Sequence, residues 1–397
     1  MLSFKWVRYA EEMATHSRSF RRFNNAIQTD ATRSNYSYSI NRFMRFLVEN
    51  KFVSDIKAYD ELLNFNADQI TDYLEDFVFE LNSKIRPSGI MSMIAAPELF
   101  FEMNRKVWHK KLVRKSINKD NVESTGNSPI TTAEIRDMLQ VAKHPRDVAL
   151  IHFFASTGAR PAAIFDPVLR MKHLEYMPNP DNPDRKHNWC YAVRIYDESR
   201  EGYWAFLTPE ATRALEKYHS WRKNIRHEKF TDETPVFANF ARHAQRPHLS
   251  DNSIKEIFRS LINRSALPRE KKGNRYNKAL IYMFRKRFNT ILKLDNSVNS
   301  NIAEKLMAHK KGLDGVYLQP TREECFKEFV KAILHLTIDS SERDRIELEQ
   351  ANKEKSELQQ RVNEIEEMRR QQADENARRD QALEYLMRKE REREAKN

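Results

Sequence analysis

Glycine is scarce in this chain, 7 of 397 residues, and cysteine scarcer still, with 2. The sequence has no Walker-type glycine loop, which removes the usual signature of ATP or GTP chemistry. Cys190 and Cys325 stand too far apart in sequence for a local metal knuckle, and no acidic cluster has the spacing of a magnesium site. The expectation is a chain without cofactor or metal. A long apolar run is missing too, as is a signal-like N-terminus. Those absences argue against a membrane partner and make the cytoplasm the expected compartment.

What is abundant is positive charge. Lys and Arg number 69 against 57 Asp and Glu, a net of +12. From Asp339 to the end there are 14 basic and 17 acidic residues, which leaves residues 1–338 with 55 against 40, a net of +15. A basic excess concentrated in the body suits a polyanion, so nucleic acid is the expected partner and not a small molecule.

Patterning divides the chain into a helical segment at 1–115, a polar, breaker-rich linker at 116–129, a second domain at 130–338 and a tail at 339–397. In the first segment Tyr36, Ile40, Phe43, Met44 and Leu47 fall at helical spacing. Arg33, Arg42 and Arg45 are interleaved among them as candidate phosphate contacts. Thr131 with Glu134 forms a capping box that opens the second domain. Trp189–Tyr196 and Tyr203–Leu207 read as the strands of a hairpin, and 177–184 and 265–278 as loops. Trp189, Trp204 and Trp221 are expected in the core or sheet. The tail has neither Gly nor Pro and is dense in Glu, Arg, Lys and Gln, which predicts one long helix. Its seams, Leu348–Val362–Leu383 and Leu358–Ile365–Leu386, are polar in the middle. A weak coiled coil and a single charged helix held by i,i+4 pairs both fit. The fold class expected is mainly α with a small β-hairpin or sheet.

Three segments carry chemistry. In Phe153–Ile164, Gly158 stands where a left-handed cap ends a buried helix and Pro161 where the next helix begins. Arg160 is thereby set at a helix entrance, where anions are favoured. In Leu280–Leu292 the apolar residues recur at helical spacing with Arg285 at the margin of the stripe, and Lys286 and Arg287 are expected to face solvent or DNA phosphates. In Leu306–Tyr317, His309, Lys310 and Lys311 precede Gly312 and Gly315, two of the few glycines, and the phenol of Tyr317 follows. A phenol on a bending loop beside basic groups is a candidate nucleophile toward a phosphodiester.

In this order and spacing the three segments resemble the tyrosine recombinase (integrase) family, with Asn301–Pro320 most like its archaeal, virus- or plasmid-type branch. The likeness covers roughly residues 128–338. It implies a helical core-binding domain, a catalytic domain, and double-stranded DNA at attachment-type sites as substrate. Other copies of the chain would join at a synapse, with the protein residing at the nucleoid. The family pattern is an arginine in a T-G-x-R turn, a hairpin lysine, an H-x-x-R helix, an L-G-H segment and the tyrosine. By that resemblance Arg160 and Arg285 are the paired arginines, His309 the histidine and Tyr317 the nucleophile, and Phe206–Leu215 is the strand-to-helix step after the hairpin. Three positions depart from the pattern. Tyr282 replaces the first histidine and Ala308 the glycine, a small change. Arg200 takes the place of the lysine implied to protonate the leaving 5′-oxygen, and arginine holds its proton too tightly for that. Either Arg200 acts electrostatically, or Lys186 or another nearby lysine donates. An active strand-exchange enzyme, a DNA-binding protein that has lost chemistry, and a type IB topoisomerase-like activity are the readings to separate.

Overall fold

The structure, a computed structural model, describes residues 17–118, 128–180, 189–197, 199–240, 246–272, 275–309 and 317–394. Lys186, Lys310, Lys311, Gly312 and Gly315 lie outside them, as does most of the 116–129 linker. The chain forms two compact units, Met1–Ser124 and Thr125–Asn397.

The first unit is helical: α1 (Arg18–Asn25), α2 (Asp30–Glu49), a 3-10 turn at Glu61–Asn64, α3 (Ala67–Asn82), α4 (Pro87–Met103) and α5 (Lys110–Lys115). Local chemistry sets the starts. The Thr29 side chain accepts from the Thr32 N–H, Asn66 and Gln69 form a reciprocal capping box, and Pro87 sits in the first turn of α4. The stripe Ile40, Phe43, Met44 and Leu47 is fully buried, and Phe43 meets Phe77 of α3 edge-on at 5.3 Å between ring centres. Each such ring contributes roughly 2–3 kcal/mol by leaving water. Of the interleaved arginines, Arg45 is exposed and Arg42 half-buried. Arg33 turns inward, donating to the Asn24 carbonyl (3.0 Å), the Asn24 side chain (2.8 Å) and the Ile27 carbonyl (2.9 Å). It fastens the start of α2 to the end of α1, a role that local sequence does not reveal.

The second unit runs α6 (Thr132–Val141), α7 (Pro145–Thr157), 3-10 turns at Pro161–Ile164 and Met171–His173, then β1 (Leu174–Met177), β2 (Cys190–Ile195) and β3 (Tyr203–Phe206). It continues with α8 (Pro209–Ile225), α9 (Asp251–Arg264), the short pair β4 (Lys271–Lys272) and β5 (Arg275–Tyr276), α10 (Tyr282–Leu294), α11 (Ser300–Lys305), α12 (Arg322–Leu336) and α13 (Ser340–Glu394). The architecture is mainly α with a small antiparallel sheet ordered β1-β2-β3, in which Val193 faces Leu174 on one side and Ala205 on the other. The expected hairpin is therefore two strands of a three-stranded sheet; Leu174–Met177 is too short a run to signal a strand by alternation. Within the expected 265–278 loop, β4 pairs with β5.

The capping box of Thr131 and Glu134 opens α6, and the Thr208 side chain caps α8 directly after β3. Helix α7 is apolar over most of its surface because α8 and α10 cover it, with Phe153 and Phe154 almost wholly buried. A second apolar cluster joins Phe206, Phe288, Leu292, Met307, Phe326 and Phe329. Trp189 and Trp204 pack against that cluster and Trp221 against the main core. The tail is one helix of 55 residues whose apolar side chains, Leu348, Leu358, Val362, Ile365, Leu383 and Leu386 among them, are exposed. Among the described residues no helix is long and apolar enough to cross a membrane.

Candidate active site

Gly158 ends α7 in the left-handed region, φ +57°, and its N–H returns to the Phe154 carbonyl at 3.0 Å. A Cβ there would stand 2.6 Å from Phe288 Cδ1 and 2.8 Å from Phe288 Cβ. Glycine thus allows the left-handed turn and also lets α10 lie directly on it. Two residues later the backbone is extended at Arg160, and Pro161 begins a 3-10 turn of four residues. A full helix was expected at that point. One 3-10 turn adds little dipole, so anion affinity here rests on the guanidinium.

Arg285, one turn before Phe288 on α10, is 9 % exposed. Its Nη1 donates to the Gly158 carbonyl at 2.8 Å, and its Nη2 donates to the Met307 carbonyl at 2.6 Å and lies 2.8 Å from His309 Nε2. One guanidinium therefore joins the turn that presents Arg160 to the turn that presents His309. Burial lowers the Arg285 proton affinity, the neighbouring Tyr203 phenol works against that, and the Arg160 charge lowers it further.

Because a guanidinium only donates, His309 Nε2 must accept, which places the ring proton on Nδ1. Nδ1 then donates to Glu304 Oε2 at 2.6 Å. Burial pushes the imidazole below its ordinary value; the bond to Glu304 raises it, Arg285 and Arg160 lower it, and the net direction is down. Burial pushes the Glu304 carboxyl up, but hydrogen bonds from Lys293 and His309 outweigh it and bring it down to about 2. Lys293 Nζ reaches Glu304 Oε1 at 2.8 Å. Ala308, between the Met307 carbonyl and His309, has φ +54°. Glycine occupies that region freely, so alanine carries about 1 kcal/mol of strain, and the change is less innocent than its size suggests.

Two tyrosines that sequence reasoning used only as strand limits belong to this cluster. The Tyr196 hydroxyl lies within hydrogen-bonding reach of Arg160 and the Tyr203 hydroxyl within reach of Arg285; burial raises both phenols. Their signal in the sequence was their place on either side of the hairpin turn. Glu304, Lys293 and Lys305 were likewise missed.

A cleft of about 420 Å³ opens beside the cluster, lined by Arg194 and Arg200 of the hairpin, Tyr203, Lys305, His309 and Leu318–Pro320, with Cys325 and others. Arg200 is exposed on the β2–β3 turn, and Tyr282, 51 % exposed, opens α10 one turn ahead of Arg285. Tyr317 is 77 % exposed and directly precedes the lining residues Leu318–Pro320. Among the described residues no hydrogen bond joins it to Arg160, Arg285 or His309. The arginines and the histidine are gathered; the phenol stands next to their cleft in the chain without touching them.

Arg287 corrects the sequence reading. It does not face solvent: it is 4 % exposed, and its Nη2 donates to Thr132 Oγ1 (3.1 Å) and to the carbonyls of His335 (3.2 Å) and Leu336 (3.1 Å). It binds α10 to the end of α12 and the start of α6. Lys286 is half-buried, and burial lowers its proton affinity.

No family description and no characterised protein matches this chain in sequence. Solved structures resemble it at low identity. The XerH site-specific recombinase bound to its difH substrate, a pre-cleavage complex, is 14 % identical over 74 % of this chain and 78 % of its own, with a TM-score of 0.48. A lambda integrase (75–356) dimer bound to a COC′ core site is 13 % identical over 81 % and 96 %, with a TM-score of 0.44. The integrase from mycobacterium phage Brujita is 13 % identical over 79 % and 90 %, with a TM-score of 0.37.

Proposed function

We propose that this chain is a site-specific DNA recombinase of the tyrosine type, an integrase that cuts and rejoins strands through a 3′-phosphotyrosyl bond without ATP or metal. One observation carries the reading. Arg285 bonds both to the carbonyl of Gly158, 127 positions away, and to His309, 24 positions away, which supports a reading in which Arg160, two residues after Gly158, joins them at one phosphate. Charge grows on the non-bridging oxygens as a phenol attacks phosphorus, and fixed cations stabilise that state more than the ground state. The Tyr317 oxygen forms its bond to phosphorus as the bond to the 5′-oxygen breaks. The phenol gives up a proton and the 5′-oxygen gains one, so the energy of the cut bond is retained for rejoining. His309 hydrogen-bonds the same phosphate or the attacking tyrosine.

The partners in this reading are duplex DNA at attachment-type sites and further copies of the chain at a synapse. The net charge of +15 over residues 1–338 supports the first. The first unit serves as the core-binding domain, with Arg42 and Arg45 as phosphate contacts; in the second unit Lys286 is a phosphate contact and Tyr282 a hydrogen-bond donor to the bound strand. Asn301–Pro320 favours the archaeal branch, and the cytoplasm is the compartment. Arg200 and Tyr282, at positions where the family has lysine and histidine, favour a second reading: a DNA-binding protein without the chemistry.

Incubation with nicked or suicide duplexes, followed by a denaturing gel, separates the two. The recombinase gives a covalent adduct that Tyr317→Phe abolishes while leaving DNA binding intact. Binding without any adduct supports the second reading. Relaxation of a plasmid with no joining of two duplexes would instead indicate a topoisomerase-like activity.

A further inference from the structure

We propose that Glu304 is a positioning residue for strand transfer: its carboxylate, pinned by Lys293, holds the His309 ring by Nδ1 and so turns Nε2 toward Arg285. The inference rests on the reaction proposed above. An imidazole at the end of a short turn has two tautomers and can swing about two side-chain torsions. A carboxylate bonded to one ring nitrogen selects a single tautomer and a single orientation, which leaves the other nitrogen aimed.

Glu304 grips His309 twice. Its carbonyl accepts the His309 N–H at 2.9 Å, and its Oε2 accepts from Nδ1 at 2.6 Å. The step from the end of α11 to His309 is therefore closed through backbone and side chain together. The other carboxylate oxygen, Oε1, takes Lys293 Nζ at 2.8 Å, and the same ammonium donates to Ser300 Oγ at 2.8 Å, at the start of α11. Lys293 and Arg285 both stand on α10, so one helix holds this segment at two points. Arg285 bonds the Met307 carbonyl and His309 Nε2, and Lys293 bonds the carboxylate that orients the same ring. With each of its oxygens bonded to a donor and its proton affinity held down, the Glu304 carboxylate is a poor base for the phenol. Its part is to hold the imidazole.

With Nδ1 so held, Nε2 is the ring atom that faces Arg285 and, in the proposed reaction, the phosphate or the attacking phenol. Glu304 itself makes and breaks no bond to the substrate. Loss of its carboxylate leaves the ring present but lets it turn, so the cost falls on the rate of the reaction and not on DNA affinity.

The test is a double-mutant cycle on the full-length protein, read as the single-turnover rate of adduct formation on a suicide duplex. Glu304→Ala should slow adduct formation about 10- to 100-fold, with DNA binding by gel shift unchanged. In a His309→Ala background the same replacement should slow it less than about threefold, because the ring that Glu304 positions is gone. Glu304→Gln keeps the shape of the side chain and runs through the same cycle, so it carries the test if the alanine variant does not fold. Its slowing should be smaller, since one amide oxygen must serve two donors. A slowing that persists in full without His309, or no slowing by either replacement, would overturn the assignment while leaving the recombinase reading standing. Absence of adduct from the parent chain would remove that reading and the assignment with it.

Discussion

Gly158 and Ala308 both hold left-handed backbones that present cluster residues, and they make opposite predictions. Gly158→Ala introduces a left-handed alanine and a Cβ 2.6 Å from Phe288. A loss of about 2–4 kcal/mol in urea unfolding is expected, because neither the turn nor α10 yields without moving Arg160. Ala308→Gly removes strain at φ +54° and should raise stability by up to about 1 kcal/mol, read as a higher denaturation midpoint. The first position was legible, since a glycine after a buried apolar run and before Arg-Pro has few other uses. The second was not, because an alanine carries no mark of its φ. Tyr196 and Tyr203 escaped for a related reason: a tyrosine at the end of a strand looks the same whether its hydroxyl meets water or a guanidinium.

Among the elements, α10 does two jobs, with Arg285 toward the site and Arg287 toward the end of α12. Arg287→Ala strands two carbonyls and leaves a cavity, so a loss of about 3 kcal/mol is expected in thermal or urea unfolding. Helical spacing correctly put Arg285 at the buried margin but mistook Arg287 for a surface residue, because its partners lie 48 and 49 positions along the chain and no local pattern announces them. Helix α13 was legible as a helix from its lack of Gly and Pro. Its junction is anchored by Glu210, whose carboxylate accepts the N–H groups of Ile338 (2.7 Å) and Asp339 (3.1 Å). Ile346 packs against the second apolar cluster. Removal of residues 347–397 leaves those contacts in place. If the exposed apolar residues pair between copies, sedimentation on DNA should show a smaller assembly for the truncated chain; an unchanged assembly would mean that α13 does not set it.

For the molecule as a whole, stability should fall in mild acid. Burial holds His152 and His219 down to about 4, so both are neutral in the folded chain. Their ordinary value is near 6.5, so between pH 6.5 and 4 the unfolded chain binds more protons and stability drops as pH falls. Each contributes up to about 3 kcal/mol over that window. Glu304, held down to about 2, adds a further loss below its ordinary range, and Glu210, which burial raises, works in the other direction. Denaturant midpoints at pH 7 and pH 4.5 measure the sum, and replacement of either histidine by Gln should flatten the profile. The helical class, the tail and the basic body were legible in composition and spacing. The family likeness named Arg160, Arg285 and His309 together, while the bonds from Arg285 to the Gly158 carbonyl and to His309 became visible only in three dimensions.

The most direct check on the nucleophile is to trap the covalent complex, digest it with protease and nuclease, and locate the nucleotide by mass spectrometry. A 3′-phosphate on Tyr317, together with a free 5′-hydroxyl on the released strand, is the expected result. A nucleotide on any other side chain, or a tyrosine joined to a 5′-phosphate, would contradict the assignment of Tyr317 and of the chemistry built around it.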